Sequence, residues 1–163
     1  MQATWCLTYL KPVERAVIDI RRARVDDLSS ILRIETQSFE RDAWDQELFL
    51  DYLAQPARSI FLVAAIDRRV VGYALAFHSE TRAEIHSIAV APADRGRGIA
   101  VLLLKRIIAS LRRRGFGIIS LNVRLENKAA VGLYRKLGFQ RVRRVNNYYE
   151  DGAPAWRMRR HFL

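Results

Sequence analysis

The chain has 163 residues, of which half are hydrophobic and 28% are charged, with only eight glycines and four prolines. This composition predicts a globular domain and excludes a mainly disordered or fibrous chain. No apolar run reaches the roughly 18 uncharged residues of a membrane-spanning helix. The first residues also lack the pattern of a secretory signal, so we expect a cytoplasmic protein with no membrane partner. Cys6 is the only cysteine, which excludes an intramolecular disulfide and a thiolate zinc site.

The formal net charge of +11 comes from 28 basic and 17 acidic residues. Such an excess indicates an anionic partner, for example a phosphorylated cofactor, an acidic peptide or a nucleic acid. All but four of the basic residues are arginines, and a skewed genomic base composition would produce the same preference without any function. The charge therefore leaves both interpretations open.

We interpret residues 1–16 as an N-terminal extension and residues 17–163 as one domain, because no repeat or low-complexity linker divides the chain. Alternating apolar residues predict a strand over residues 17–23. Asp26 or Asp27 is then expected to cap a helix. The apolar stripe predicted for this helix consists of Leu28, Ile31, Leu32 and Ile34.

A second helix is predicted over about 46–53, after an irregular segment that holds Phe39 and Trp44. Three strands are then expected to form an antiparallel meander with a turn at residues 67–69. The predicted strands are 59–66, 70–79 and 83–91.

After Pro92 the apolar residues adopt helical spacing until a helix end at Gly115. The inward face predicted for this helix is Ile99, Leu102, Leu103, Ile107, Ile108 and Leu111. Next come a strand over 117–124 and a short helix with Asn127 as its cap and Gly138 as its stop. The inward residues predicted for the short helix are Ala130, Leu133, Tyr134 and Leu137.

The last part of the chain predicts two strands joined by a turn at residues 151–152. The predicted order is therefore β-α-α-β-β-β-α-β-α-β-β. This is a mixed α/β fold with one parallel crossover.

The segment most informative about function is a strand that enters a glycine-rich turn, with Gly96 and Gly98, and then a long helix. Glycines allow close approach of a phosphate, and a helix start offers free N–H groups. Val101 stands where a dinucleotide-binding fingerprint needs its third glycine, and the Gly-Lys-Ser/Thr of a P-loop is absent. The turn thus predicts either phosphate binding of another kind or a tight connection without a ligand.

The residues Arg95-Gly-Arg-Gly-Ile-Ala100 resemble the Q/R-x-x-G-x-G/A signature of the GNAT N-acetyltransferases. The resemblance is closest to the RimI-like branch, which acetylates protein N-termini. It extends to three further blocks: SIAVAP, LNVRLENKAAVGLYRKLGF and NNYYEDGAPAWRM. It implies the α/β GNAT fold, with a mostly antiparallel central sheet flanked by helices, and acetyl-CoA as the acetyl donor.

The resemblance also implies a cofactor site and a general acid. Tyr134 matches the tyrosine that protonates the departing thiolate, although its spacing also suits a core residue, and Asn127 also suits a helix cap. The implied cofactor-binding residues are Ile88, Ala89, Val90, Arg95, Gly96, Arg97, Gly98, Ile99, Ala100, Asn122, Asn127 and Tyr134.

One position departs from the RimI-like pattern, because Asn122 stands where those enzymes carry a glutamate as general base. An amide cannot take a proton at neutral pH. Glu84 and His86 are two residues apart on a strand and share a face, so we expect Glu84 first and His86 second as the replacement. A solvated glutamate and a structural histidine are the alternatives. Adjacent Ser87 is expected to point to the opposite face from His86, which excludes a nucleophile-base pair.

The implied substrate-binding aromatics are Phe39, Trp44, Tyr148 and Tyr149, for which core packing is the alternative. The three histidines, at 78, 86 and 161, have no metal-ligand spacing, so no metal is expected.

The predicted function is direct transfer of an acetyl group to the N-terminal amine of a protein or peptide, a ribosomal protein being one candidate, within a ternary complex. One alternative is a GNAT enzyme for a small amine or a lysine side chain. The other is a degenerate acetyl-CoA- or RNA-binding module. Nucleic-acid contact is otherwise expected to be incidental, and the protein to be a monomer or homodimer.

Overall fold

The computed structural model describes residues 17–162, so the predicted N-terminal extension lies outside the described residues. Its seven strands are β1 Ile18–Arg22, β2 Ser59–Ile66, β3 Arg69–His78, β4 Ala83–Val90, β5 Ile118–Arg124, β6 Gln140–Val145 and β7 Ala155–His161. Its α-helices are α1 Leu28–Phe39, α2 Gln46–Leu53, α3 Ile99–Arg113 and α4 Lys128–Lys136. The element order and the bounds of α2 agree with the sequence prediction. None of the described helices is long and apolar enough to cross a membrane.

The strands form one sheet in the order β1-β2-β3-β4-β5-β7-β6. All neighbouring pairs are antiparallel except β4 and β5, which are parallel and connected through α3. The predicted mostly antiparallel sheet with one parallel crossover is therefore confirmed. Because α3 returns the chain antiparallel to β4, the start of α3 lies at the end of the sheet where β4 ends.

Helices cover the two faces of the sheet. Residues of α1 and α2 pack with Phe61, Tyr73 and Leu75 in one apolar cluster. Residues of α3 and α4 pack against the opposite face in a larger cluster. All eight residues of β2 are buried, because this strand lies between β1 and β3 and supplies side chains to both clusters.

Three local predictions were wrong in detail. Leu102, predicted to face inward, has 42% of its surface exposed, whereas the unpredicted Leu104 is fully buried. Asp27, predicted as a possible cap of the first helix, lies instead within a 3-10 turn that precedes α1. Its carboxylate accepts a hydrogen bond from the backbone N–H of Arg24 at 2.8 Å and forms a salt bridge with Arg21 at 2.7 Å. Residue 69 belongs to β3, which leaves a two-residue turn between β2 and β3.

Candidate active site at the divergence of two strands

Strands β4 and β5 pair only at their first residues and then diverge. The parallel pairs are Ala83 with Ile119, Glu84 with Ser120 and Ile85 with Leu121. Beyond Ile85, β4 has no β5 partner among the described residues, so its edge over residues 86–90 has backbone N–H and C=O groups that the sheet does not use. Such groups need hydrogen-bonding partners. The gap between the diverging strands β4 and β5 is the opening of the site, and an extended ligand can add to the sheet there.

A β-bulge in β4 occurs at the start of this opening. Leu75 of β3 pairs with Ser87 and Ala76 pairs with Ile85, so His86 is the extra residue. The bulge brings His86 and Ser87 to the same face, where His86 bonds Tyr52 of α2 and Ser87 bonds Tyr73. The expectation of opposite faces was wrong, because a bulge interrupts the period-2 alternation. The two side chains have different partners and do not bond each other.

The glycine turn connects the end of β4 to α3. Gly96 and Gly98 have φ of 77° and 78°, a left-handed conformation that glycine adopts without strain. Among residues 17–162, a Cβ atom at either position would meet nothing within 4 Å, and no side chain caps α3. The turn therefore has open space above free N–H groups. These are the features that a phosphate group requires at a helix start.

Charged side chains hold this turn in place. The buried carboxylate of Asp94 accepts hydrogen bonds from Arg69 at 2.8 Å and from Arg97 at 2.9 Å. These guanidinium groups keep the pKa of Asp94 below its usual range. Nε of Arg95 donates to the carbonyl of Val90 at 3.0 Å, which ties the turn back to β4. Sequence reasoning missed Asp94 and Arg69, whose pairing depends on contacts between separate segments.

The carboxylate of Glu84 accepts a bidentate salt bridge from Arg157 of β7, at 2.6 and 3.0 Å. The same carboxylate accepts a hydrogen bond from Nδ2 of Asn122 at 3.0 Å, and this Nδ2 also donates to the hydroxyl of Tyr148 at 2.9 Å. Both Glu84 oxygens are therefore occupied. Oδ1 of Asn122 is buried without a partner among the described residues.

His86 lies among three aromatic rings, those of Trp44, Tyr52 and Phe77, with centroid distances of 6.5, 5.7 and 6.0 Å. Its Nδ1 is 2.7 Å from the hydroxyl of Tyr52. Burial among these rings lowers the pKa of His86, and Arg157 lowers it further against the opposing effect of Glu84. The imidazole is therefore neutral at pH 7 and retains solvent contact. The contribution of Tyr52 had no signal in the sequence.

Tyr134 lies on the buried face of α4, and its ring makes an edge contact with Phe139 at 5.9 Å. Burial raises the pKa of Tyr134 well above its ordinary value, so the phenol stays protonated throughout the physiological range. Asn127 is the N-cap of α4 and accepts the N–H of Ala130 at 3.0 Å. The predicted cap is thus confirmed.

The segment between α1 and α2 and the segment between β6 and β7 meet over the end of β5. Nε of Arg124 donates to Asp42 of the first segment at 2.8 Å, and its Nη2 pairs with Asp151 of the second at 3.0 Å. The same guanidinium lies 4.1 Å from the ring centroid of Tyr149. Arg124 is therefore a bridge between the two segments, which the sequence did not reveal.

The four predicted substrate-binding aromatics have different surroundings. Phe39 is partly buried against the α1/α2 cluster, and no contact joins it to His86 or Tyr52 among the described residues. Trp44 stacks on Tyr52 beside His86. Tyr148 is 46% exposed, and Tyr149 contacts its ring at 4.9 Å. Three of the four residues thus border the opening.

Glu35 is a buried carboxyl group on α1 that sequence reasoning missed. It accepts the backbone N–H of Trp44 at 2.9 Å and the hydroxyl of Tyr73, which in turn bonds Ser87 at 2.7 Å. Burial raises the pKa of Glu35. This chain of hydrogen bonds fixes the position of Trp44 relative to β4.

Comparison with known proteins agrees with this geometry. The acetyltransferase (GNAT) family profile matches residues 25–139. The chain belongs to the GNAT family. Its fold matches that of Ard1 from Thermoplasma volcanium with a TM-score of 0.82 and 30% identity, covering 90% of this chain and 98% of that one. The predicted family and fold are thus confirmed.

Two further relatives of this GNAT enzyme belong to the RimI-like group. N-alpha-acetyltransferase RimI of Mycobacterium tuberculosis is 37% identical over 140 residues, which cover 82% of this chain and 86% of that protein. The ribosomal-protein-S18-alanine N-acetyltransferase of Escherichia coli has a TM-score of 0.79 and 27% identity, with coverage of 89% and 94%. This chain is therefore an acetyltransferase whose acetyl donor is acetyl-CoA.

The residues of the opening fit this donor. The open glycine turn suits the pyrophosphate, and the unpaired edge of β4 over residues 86–90 suits the amide-containing arm. Tyr134 and Asn127 lie on the adjacent helix α4. When bound, acetyl-CoA supplies an activated acetyl group as a thioester.

Proposed function

We propose that this enzyme acetylates the N-terminal α-amine of a protein or peptide. The observation that carries the proposal is the Arg124 bridge between Asp42 and Asp151. Because this bridge joins the two segments across the end of β5, it restricts access from that side, and restricted access favours the end of a chain over a side chain in its middle. The names of the relatives in Mycobacterium tuberculosis and Escherichia coli describe the same reaction class.

The ionisation of the acceptor supports an α-amine over a lysine. An α-amine with a pKa of about 7.7–8.0 is roughly 10% neutral at pH 7, whereas a lysine with a pKa of about 10.4 is only about 0.04% neutral. The site has Asn122 in place of a glutamate, and the carboxylate of Glu84 is paired with Arg157. Such a site has a weak base at most, which suffices for an α-amine.

Within this proposal the geometry favours His86 over Glu84 as the base, which reverses the order expected from the sequence. Glu84 accepts three hydrogen bonds, whereas only Nδ1 of His86 has a partner among the described residues. The proposal assigns the proton of the neutral imidazole to Nδ1, which donates to the oxygen of Tyr52, so that Nε2 has the lone pair that takes the proton from the amine. Glu84 then acts by holding Arg157 and Asn122.

The remaining steps use the backbone and Tyr134. An N–H group of residues 88–90 would hold the thioester oxygen as negative charge develops on it. The hydroxyl of Tyr134 donates its proton to the sulfur of the leaving thiolate. The amine attacks directly, so no enzyme nucleophile is needed.

A peptide panel tests the proposed function. Short peptides that begin with Ala, Ser or Met are incubated with enzyme and acetyl-CoA, together with an N-blocked peptide containing lysine and a polyamine. Release of CoA and the product mass are followed. We expect acetylation of free N-termini, with kcat/KM at least about 100-fold above that of the blocked peptide, because the difference in amine ionisation alone is of this order. Equal or faster acetylation of lysine or polyamine would contradict the proposal.

The pH dependence of kcat/KM tests His86. Because its pKa is lowered, its charge changes below about pH 6.5, whereas the substrate amine is protonated below about pH 8. In the wild type we expect a plot of log kcat/KM against pH to have a slope of 1 at pH values below the pKa of the amine. Below the pKa of His86 the slope is expected to be 2. The variant His86→Gln is expected to retain slope 1 throughout.

Glu84→Gln is the matched comparison, because it removes the other candidate base from the same face. We expect it to retain the slope of 2 while raising KM through loss of the Arg157 pair. A slope of 2 in His86→Gln together with a slope of 1 in Glu84→Gln would instead identify Glu84 as the base.

A further inference from the structure

A basic groove lies on the α3/α4 face of the sheet, with a volume of about 850 Å³. The C-terminal half of α3, the end of α4 and the end of β7 form its walls. Five of its lining residues are cations: Lys105, Arg112, Arg113, Lys136 and Arg160. Apolar side chains, including Phe162, complete the lining, and none of the lining residues is acidic.

Within the part of the chain that the structure describes, the positive charge of this groove has no acidic partner. None of its five cations takes part in a salt bridge within residues 17–162, where the ion pairs involve other arginines, such as Arg69, Arg124 and Arg157. Like charges this close repel one another, so an anion in the groove gains from all of them at once.

Two guanidinium groups have defined positions in the groove. The guanidinium of Arg160 lies 4.9 Å from the ring centroid of Phe162 and donates to the carbonyl of Leu137 at 2.7 Å. The guanidinium of Arg112 lies 5.8 Å from the same ring. A planar donor fixed beside an aromatic ring can bind a phosphate and lie next to a stacked base.

The groove is separate from the acetyl-transfer site. The backbone N–H of Phe162 donates to Gly117 just before β5, at 2.9 Å. The groove therefore lies at the end of the sheet where β5 begins. The divergence of β4 from β5 and the glycine turn lie at the other end, beyond the last residues of β4. A ligand in the groove leaves the acetyl-transfer site accessible.

We propose that this groove binds the phosphodiester backbone of single-stranded RNA. Three of its five cations are arginines, which bind phosphate through two parallel N–H groups, and an open groove suits a polymer. Strand β6, which begins two residues after Gly138, adds the exposed residues Arg141 and Arg144, whose cross-strand partners Met158 and Trp156 belong to the α3/α4 cluster. The proposal departs from the sequence-based expectation of incidental nucleic-acid contact, and it is independent of the acceptor amine.

The test measures binding of a fluorescein-labelled, 20-nucleotide single-stranded RNA of mixed sequence to the full chain by anisotropy between 50 and 200 mM KCl. With about five phosphate contacts, log K is expected to fall with log salt with a slope of about −3.5. Lys105→Glu/Arg112→Glu should weaken binding at least 10-fold at 50 mM KCl and flatten the slope. The milder pair Lys105→Gln/Arg112→Gln should show a smaller loss in the same direction.

Arg22→Glu/Arg33→Glu is the matched control, because it changes the net charge equally at exposed residues of β1 and α1, away from the groove. We expect it to lose less than 3-fold in RNA affinity. An equal loss in the two charge-reversed pairs would show that net charge alone attracts RNA. Polyglutamate that competes as well as unlabelled RNA at equal charge would identify an acidic-peptide site.

The same variants are assayed for acetyl-CoA affinity and peptide acetylation. Both quantities are expected to stay within 2-fold of the wild type. A loss of acetyl-CoA affinity in the groove variants would assign the groove to the donor and overturn the proposal. Failure of the peptide panel alone would contradict only the proposed acceptor.

Discussion

The variant Tyr134→Phe is expected to lower kcat about 100-fold, or about 2.7 kcal/mol, which lies at the low end for loss of a general acid. Burial raises the pKa of Tyr134, so the hydroxyl keeps its proton throughout the physiological range, as the proposed general acid must. Its removal leaves the leaving thiolate without that proton. Steady-state kinetics with saturating peptide and acetyl-CoA measure the effect.

Two controls separate catalysis from structure. The ring of phenylalanine retains the packing against Phe139, so acetyl-CoA affinity by calorimetry is expected to stay within 2-fold of the wild type. The midpoint of thermal unfolding is expected to change by less than about 4 °C, because a ΔΔG below 1 kcal/mol has no larger effect on this scale. A collapse of affinity with kcat preserved would show that Tyr134 is a structural residue.

The variant Gly98→Val is expected to weaken acetyl-CoA binding at least 30-fold, about 2 kcal/mol. Gly98 has a left-handed backbone and open space where a Cβ would lie, so a side chain there would meet the ligand rather than the protein. KM for the peptide is expected to change less than 3-fold, because the turn lies away from the Arg124 bridge. Calorimetric titration with acetyl-CoA measures the loss.

Gly115→Val is the matched control for backbone strain. Gly115 follows the other end of α3, has a φ of 88° and also has nothing within 4 Å of a Cβ position. Both variants are expected to lose about 1–2 kcal/mol of folding stability from the left-handed conformation. Only Gly98→Val should lose acetyl-CoA affinity, and an equal loss in both would attribute the effect to strain.

Much of the fold could be predicted from local patterns. The alternation in β1, the continuous apolar runs of β2 and β3, the helical spacing in α3 and the cap at Asn127 each depend on residues close together in the sequence. The element order and the parallel crossover followed from them. The exposure of Leu102 did not follow, because several leucines of α3 fit an apolar stripe and only packing against the sheet decides among them.

The candidate site was predictable where a motif is contiguous. The glycine turn and Tyr134 lie in such blocks, so the resemblance could assign roles to them, and those roles remain predictions. The bulge at His86 and the pairing of Glu84 with Arg157 depend on segments that are distant in the sequence. No local pattern encodes such contacts, and they are what changed the preferred base from Glu84 to His86.

The sequence by itself thus determined the family, the order of elements and the turn that suits a phosphate, since each is written in neighbouring residues. Only the tertiary structure decided which groups meet at the site. It put Arg124 between two segments and gathered five cations from α3, α4 and β7 into one groove. The physical reason is that charge pairing, burial and open space are properties of distances between side chains, and folding sets those distances.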